Sequence, residues 1–104
     1  MKELAEIAKK QLCQIFEIDD IASKTMEQDY VFARMIFCKY FTDLGMPLKR
    51  CATYIGLKHP AVYNMKRRYD DNYETNRYFK TKADRFNKIS LYELLEKDTE
   101  THLF

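Results

Sequence analysis

The chain has 104 residues, enough for one domain with a single core, and 46% of them are apolar, so the chain can fold rather than stay disordered. Two glycines and two prolines are few turn residues for a sheet protein, so the composition favours an all-α fold. No run of about 18 apolar residues occurs and the N-terminus lacks a signal-peptide pattern, so we expect no membrane span and a cytoplasmic protein.

The charge is unevenly distributed, although the net charge is only +2. Residues 1–29 and residues 93–104 each have a net charge of −3, whereas residues 30–92 have 13 Lys and Arg against 5 Asp and Glu. The stretch Leu44–Tyr69 contains no Asp or Glu at all. A basic centre between acidic ends is typical of a protein that binds a polyanion with one face, and an ordinary solvated surface is the alternative.

The three cysteines, Cys13, Cys38 and Cys51, are scattered singly and form no CxxC pair. We expect each to be a buried small apolar residue of a protein in a reducing compartment. No Ser–His–Asp arrangement, paired carboxylates or metal-ligand spacing is visible, so the sequence indicates neither an enzyme nor a cofactor.

The first predicted helix spans residues 2–17, where apolar residues recur at helical spacing. These residues are Leu4, Ile7, Ala8, Leu12, Ile15 and Phe16. A second helix is predicted from Asp29, as its N-cap, to Leu44. Gly45 then predicts a left-handed cap, and Pro47 prevents the helix from continuing.

The remaining predicted helices are shorter. The third runs from Leu48 to Ile55 and is closed by Gly56, and the fourth begins near Pro60, because proline suits the first helical turn. We expect the fourth helix to continue through Tyr69 and to fray near Asp70–Tyr73. A fifth helix covers about Thr75–Ile89. Ser90 then caps a last segment, Leu91–Glu96, and residues 97–104 are expected to be a loose tail.

The segment Leu48–Tyr69 has the residue pattern of a helix-turn-helix. Ala52 is the small residue that a close helix crossing needs, and Gly56, four residues later, tolerates the positive φ of the turn. Apolar residues fall where the two helices would pack together: Cys51, Ile55, Leu57, Val62 and Met65. Corners of this kind also occur in helical bundles that bind no DNA, which is the alternative.

The same register separates the core face of the second helix from its outer face. Val62, Met65 and Tyr69 point to the core. The predicted base-contacting residues are Lys58, His59, Tyr63, Asn64 and Arg67, and the predicted phosphate contacts beside them are Lys49, Arg50 and Arg68. Asn and Arg side chains can bond adenine and guanine bidentately. The alternatives are that His59 caps the helix, that Asn64 is an ordinary surface amide and that Tyr63 lies at the core rim.

Two stretches of the chain resemble the sequence pattern of a known protein family. The first is Ala33-Arg34-x-Ile36-x-x-x-Tyr40. The second has Leu48 and Cys51, followed by Ile55-Gly56-x-x-His59-x-x-Val62. Over about Tyr30–Tyr73 the chain resembles the C-terminal DNA-binding domain of the bacterial replication initiator DnaA. The resemblance implies a compact, Trp-repressor-like helical domain of five to six helices. It further implies that Arg34 contacts the phosphate backbone, that His59 reads a base and that Val62 lies in the core.

The chain departs from that family's signature at two places. Leu57-Lys58 replaces its Arg-Asp pair, and Pro60-Ala61 replaces two hydroxyl residues. The family's basic loop before the arginine has no counterpart here, because residues 25–29 occupy that place and are acidic. We therefore expect binding of double-stranded DNA, but not of the initiator's own box sequence.

The sequence thus predicts a duplex-binding regulator or replication accessory of a bacterium, prophage or mobile element. The alternative is a protein-interaction domain that keeps the fold without contacting DNA. Helix 2–17 could then serve as a docking or self-association face, unless it simply packs in the core. Stacking of single-stranded bases on the 8 tyrosines and 7 phenylalanines ranks lower, because most of these fall at core-facing positions.

Overall fold

The computed structural model describes residues 1–102, with side chains through Lys97, and this part of the chain is all-α, as predicted. The helices are α1 (Lys2–Phe16), α2 (Gln28–Asp43), α3 (Leu48–Ile55), α4 (His59–Thr75), α5 (Arg77–Asn87) and α6 (Leu91–His102). No helix among the described residues is both long and apolar enough to cross a membrane.

Helix α2 is the centre of the core, and α1, α3 and α4 all pack against it. Every residue from Val31 to Cys38 is buried, so the middle of this helix is enclosed on all sides. A helix in such a position is expected to be apolar all round. Arg34 is the one charged residue in that run, and its role is described below.

Helix α1 buries its apolar face inside the domain, against α2, α5 and α6. The buried residues are Leu4, Ala5, Ala8, Leu12, Ile15 and Phe16. Packing in the core, rather than docking of a partner, is therefore what this face of helix 2–17 does. The prediction of the helix itself was accurate to within one residue at its end.

The boundaries of α2 and α4 differ from their predictions. Glu27, not Asp29, is the N-cap of α2, and Asp29 instead accepts a hydrogen bond of 2.6 Å from the Tyr78 hydroxyl. Helix α4 does not fray after Tyr69 but continues to Thr75. The reason is packing, since Tyr69 and Tyr73 stack on each other at 5.8 Å and Tyr69 meets Phe79 of α5 edge-on.

Two helix ends follow the predicted signals. Gly45, at φ 99°, ends α2: its N–H donates to Thr42 O, and the Met46 N–H donates to Phe41 O. This pair of bonds is the Schellman motif. Gly56, at φ 70°, ends α3.

The limits of α5 and α6 also differ from those expected. Asn76 caps α5, which begins at Arg77 and ends at Asn87, and Ser90 Oγ accepts a bond of 3.4 Å from the Glu93 N–H at the start of α6. Helix α6 extends past Glu96 to His102, so residues 97–102 of the expected loose tail are helical, while residues 103 and 104 lie outside the described part of the chain.

Candidate nucleic-acid interface

Helices α3 and α4 form a closely packed pair joined by three residues, 56–58. The residues predicted to hold the pair together are buried, apart from Leu57, which is half-buried. They are Cys51, Ala52, Ile55, Val62 and Met65. The Leu57 N–H donates to Ala52 O at 3.1 Å, which closes the turn after α3.

Gly56 is needed at this turn for two reasons. Its φ of 70° is in the left-handed region, where other residues are strained. A Cβ atom at this position would also lie 2.7 Å from the carbonyl oxygen of Ala22. The turn therefore lies directly against the loop that connects α1 and α2.

All five predicted base-contacting residues are exposed: Lys58, His59, Tyr63, Asn64 and Arg67. Lys58 is the N-cap of α4, and no side chain accepts a capping hydrogen bond from the backbone N–H groups at this helix end. His59 is therefore not a helix cap. Tyr63 is 58% exposed, so it does not lie at the core rim. Within the part of the chain that is described, Asn64 and Arg67 make no side-chain hydrogen bond or ion pair, which leaves both available to a ligand.

The predicted phosphate contacts Lys49, Arg50 and Arg68 are exposed as well. Lys49 and Arg50 are in the first turn of α3, which has neither a side-chain cap nor an acidic residue. The first helical hydrogen bond of α3 is the one that the Cys51 N–H donates to Pro47 O at 3.0 Å. The N–H groups before it and the positive pole of the helix favour an anion at this end.

The start of α4 offers less to a phosphate group. Pro60 has no N–H, and the Ala61 N–H already donates to Lys58 O at 3.0 Å. An anion would therefore be held here by side chains rather than by the backbone.

Arg34 does not belong to this surface, and its prediction as a phosphate contact was wrong. It is 1% exposed; its Nε donates to Ile21 O at 2.7 Å, and its Nη2 donates to Ser23 O. Burial lowers the pKa of the guanidinium from its ordinary value. Arg34 thus fastens the α1–α2 loop to α2. A single arginine within the otherwise apolar run 31–38 was the sequence signal that this side chain is buried.

The charge on the exposed side of α4 changes from positive in its first half to negative in its second half. Its first half belongs to the acid-free stretch, whereas Asp70, Asp71 and Glu74 are exposed in its second half. Asp70 lies 3.7 Å from Lys39 of α2, which also contacts Asp43 at 3.5 Å. A polyanion is therefore attracted to the first half of α4 and repelled from the second.

The cysteines fit the core. Cys38 and Cys51 are buried and free, and Cys13 is half-buried. The hydrogen bond of Cys38 with the Cys51 thiol, together with burial, raises the pKa of Cys38, so this thiol is protonated at neutral pH. No group of three or more His, Cys, Asp or Glu placed to hold a metal ion occurs among the described residues.

Comparison with known proteins gives no match, whether with family models, curated proteins or solved structures. The candidate interface is the surface formed by α3 and the first half of α4. This surface combines exposed amide, imidazole, phenol and guanidinium groups with flanking cations. Such a set can bond base edges in a groove while the cations hold phosphates.

Proposed function

We propose that this protein binds double-stranded DNA, with α3 and α4 acting as a helix-turn-helix. The observation that carries the proposal is the exposed set His59, Asn64 and Arg67 at the start of α4, within a stretch that has no acidic residue. The resemblance to the DnaA C-terminal domain, with its Trp-repressor-like fold, supports the same function. A regulator or replication accessory is the role that this resemblance favours.

The first half of α4 is the recognition helix of this proposal. Residues 59–69 extend over about 15 Å, and the major groove, about 12 Å wide, admits a helix. Asn64 and Arg67 make the bidentate base contacts, with Lys58, His59 and Tyr63 beside them. Lys49, Arg50 and Arg68 hold the phosphate backbone and set the register without reading sequence.

The acidic second half of α4 determines the orientation on the duplex. Asp71 and Glu74 would be repelled by phosphates if α4 lay lengthwise in the groove. The helix therefore enters by its N-terminal end and leaves its second half outside the groove. Known recognition helices also present their N-terminal residues to the bases.

A second candidate function, docking of a protein partner without DNA contact, is favoured by one observation. A groove of about 240 Å³ lies between α2, α4 and the end of α5. It is lined by Ile36, Lys39, Tyr40, Asp43, Leu44, Tyr69 and Asn87. Leu44 is 42% exposed there, so the groove could receive an apolar side chain of a partner.

Selection of binding sites from random duplexes tests the proposal and separates the two functions. We expect one sequence to be enriched, a palindrome for a dimer or an asymmetric site for a monomer. The logarithm of the binding constant should fall linearly with the logarithm of the salt concentration. The slope of this line, the salt slope, is about −0.9 for each phosphate neutralised. Failure to enrich any sequence, together with no binding of any duplex at about 50 mM salt, rejects DNA binding and leaves the docking function.

A further inference from the structure

Helix α5 and its C-cap form a second basic segment of the chain. Five cations, Arg77, Lys80, Lys82, Arg85 and Lys88, are accompanied by a single acidic residue, Asp84. Basic residues are common on solvated helices, so the number of cations alone says little. The structure, however, shows which of them already have a role in the fold.

Two of the five cations are occupied by intramolecular contacts. Lys80 lies 3.0 Å from an oxygen of Asp84 and 4.9 Å from the centre of the Tyr73 ring. Lys82 donates to Ile15 O at 2.9 Å, at the end of α1, and lies over the ring of Tyr78. Arg77, Arg85 and Lys88 are exposed and make no ion pair or cation–π contact with any described residue.

The end of α5 lies beside the middle of α4. The Asn87 side chain donates to the Tyr69 hydroxyl at 3.4 Å, and Tyr69 directly follows Arg68 in α4. The Tyr73 hydroxyl donates to Asp84 at 2.6 Å, which ties the two helices together at a second point. The end of α5, which carries Arg85 and Lys88, is therefore held beside the middle of α4.

We propose that Arg85 and Lys88 contact the phosphate backbone of the same duplex and extend the binding surface from α4 to the end of α5. This inference rests on the proposed function. Asp84, the carboxylate nearest to them in the sequence, is already paired with Lys80 at 3.0 Å. Asp43 and Asp70, at the end of α2 and in α4, share Lys39 and are partly neutralised by it. The contact carries no sequence information, because it is made to phosphates alone.

Arg77 provides a control on the same helix. It is exposed and without an ion pair, like Arg85, but it lies eight residues earlier, about 12 Å away along the helix. It also follows Glu74 by only three residues, next to the acidic half of α4. We therefore expect no phosphate contact from Arg77.

A purely local role for Arg85 and Lys88 is distinguishable from DNA contact. Cations at a helix C-terminus interact favourably with the helix dipole, which affects stability alone. A phosphate contact instead changes the dependence of DNA affinity on salt. The decisive readout is therefore the salt slope and not the melting temperature.

The experiment measures the affinity for a non-specific duplex of about 20 base pairs between about 50 and 200 mM salt. For R85A/K88A we expect the slope to be smaller by about 1.8, because two phosphate contacts are lost. R85K/K88R should keep the slope of the unmodified protein. R77A should keep it too, as should K2A/K10A, which removes the same charge from exposed positions on α1.

The outcomes separate this inference from the proposed function. If the unmodified protein binds and R85A/K88A keeps its slope, α5 makes no contact and the proposed function stands. If K2A/K10A lowers the slope equally, the effect is one of net charge and the inference is also overturned. If the unmodified protein binds no duplex, the proposed function fails and this inference fails with it.

Discussion

A Cβ atom on Gly56 would lie 2.7 Å from the carbonyl oxygen of Ala22, so the α3–α4 turn and the α1–α2 loop are in direct contact. The same loop is held from within by the buried Arg34, which bonds the carbonyl oxygens of Ile21 and Ser23. The position of the proposed recognition helix thus depends on a loop that is distant in sequence and on an arginine that never reaches the surface.

Replacing either glycine with alanine tests this contact. Gly56→Ala should lower the free energy of unfolding by about 2–5 kcal/mol, because it adds a clash with Ala22 to the strain of a positive φ. Gly45→Ala, at φ 99° with nothing near the added atom, should cost only about 1–2 kcal/mol. Chemical denaturation measures both, and equal losses would contradict the close approach of the turn and the loop.

The structural role of Arg34 is tested by Arg34→Met. The buried carbonyl oxygen of Ile21 and the partly buried one of Ser23 lose their donors, so we expect a loss of about 2–5 kcal/mol in the free energy of unfolding. Under conditions where the variant is folded, the salt slope of DNA binding should not change. Arg50→Met is the matched control. We expect its free energy of unfolding to stay within about 0.5 kcal/mol of that of the unmodified protein and its salt slope to be smaller by about 0.9. If instead Arg34→Met reduces the salt slope and leaves the stability unchanged, Arg34 is a phosphate contact.

Alkaline pH should weaken the contact between α2 and α5. The Tyr78 hydroxyl donates to Asp29 at 2.6 Å, and this bond raises the pKa of Tyr78 to about 12, from about 10 in the unfolded chain. The folded state therefore holds this proton more tightly, and the stability it contributes is present below pH 10 and is lost as the pH rises towards 12.

Tyr78→Phe should therefore make the loss of stability between about pH 10 and 12 less steep. Thermal unfolding across that range measures the effect. Tyr92→Phe is the control, since Tyr92 is 56% exposed and its hydroxyl makes no hydrogen bond with any described residue. Identical pH profiles for Tyr78→Phe and the unmodified protein would show that the bond to Asp29 contributes nothing.

Base contacts and phosphate contacts should respond differently to mutation. Asn64→Ala and Arg67→Ala should each cost about 1–3 kcal/mol on the selected site and reduce discrimination against other sequences. Lys49→Ala and Arg50→Ala should weaken selected and scrambled duplexes alike. Thr53→Ala, on the exposed side of α3, is the control with no expected effect. If Asn64→Ala and Arg67→Ala bind the selected site as tightly as the unmodified protein, the proposed register in the groove is wrong.

Local signals made much of the fold predictable. The boundaries of α3, the caps at Gly45 and Gly56 and the residues packed between α3 and α4 all depend on neighbours a few positions away. The exposure of the predicted base-contacting residues followed from the same helical register. Each of these features depends on a short stretch of sequence, so it can be predicted without the rest of the chain.

Long-range contacts explain what the sequence did not reveal. Arg34 bonds oxygens 13 and 11 residues away, and no local pattern identifies them. The second half of α4 is stabilised by Tyr69 and Tyr73 against α5, which overrides the local expectation of fraying. Likewise, only the packed structure distinguishes the occupied cations Lys80 and Lys82 from the available Arg85 and Lys88.

The affinity of the protein for a duplex that contains the selected site, measured from about 50 to 200 mM salt, tests duplex binding by α3 and α4 most directly. With at least three phosphate contacts, from Lys49, Arg50 and Arg68, we expect saturable binding that weakens at least about 40-fold over this range. The K49A/R50A/R68A variant should show a slope smaller by about 2.7. Absence of binding at about 50 mM salt, or an affinity that does not change with salt, would contradict duplex binding by this surface.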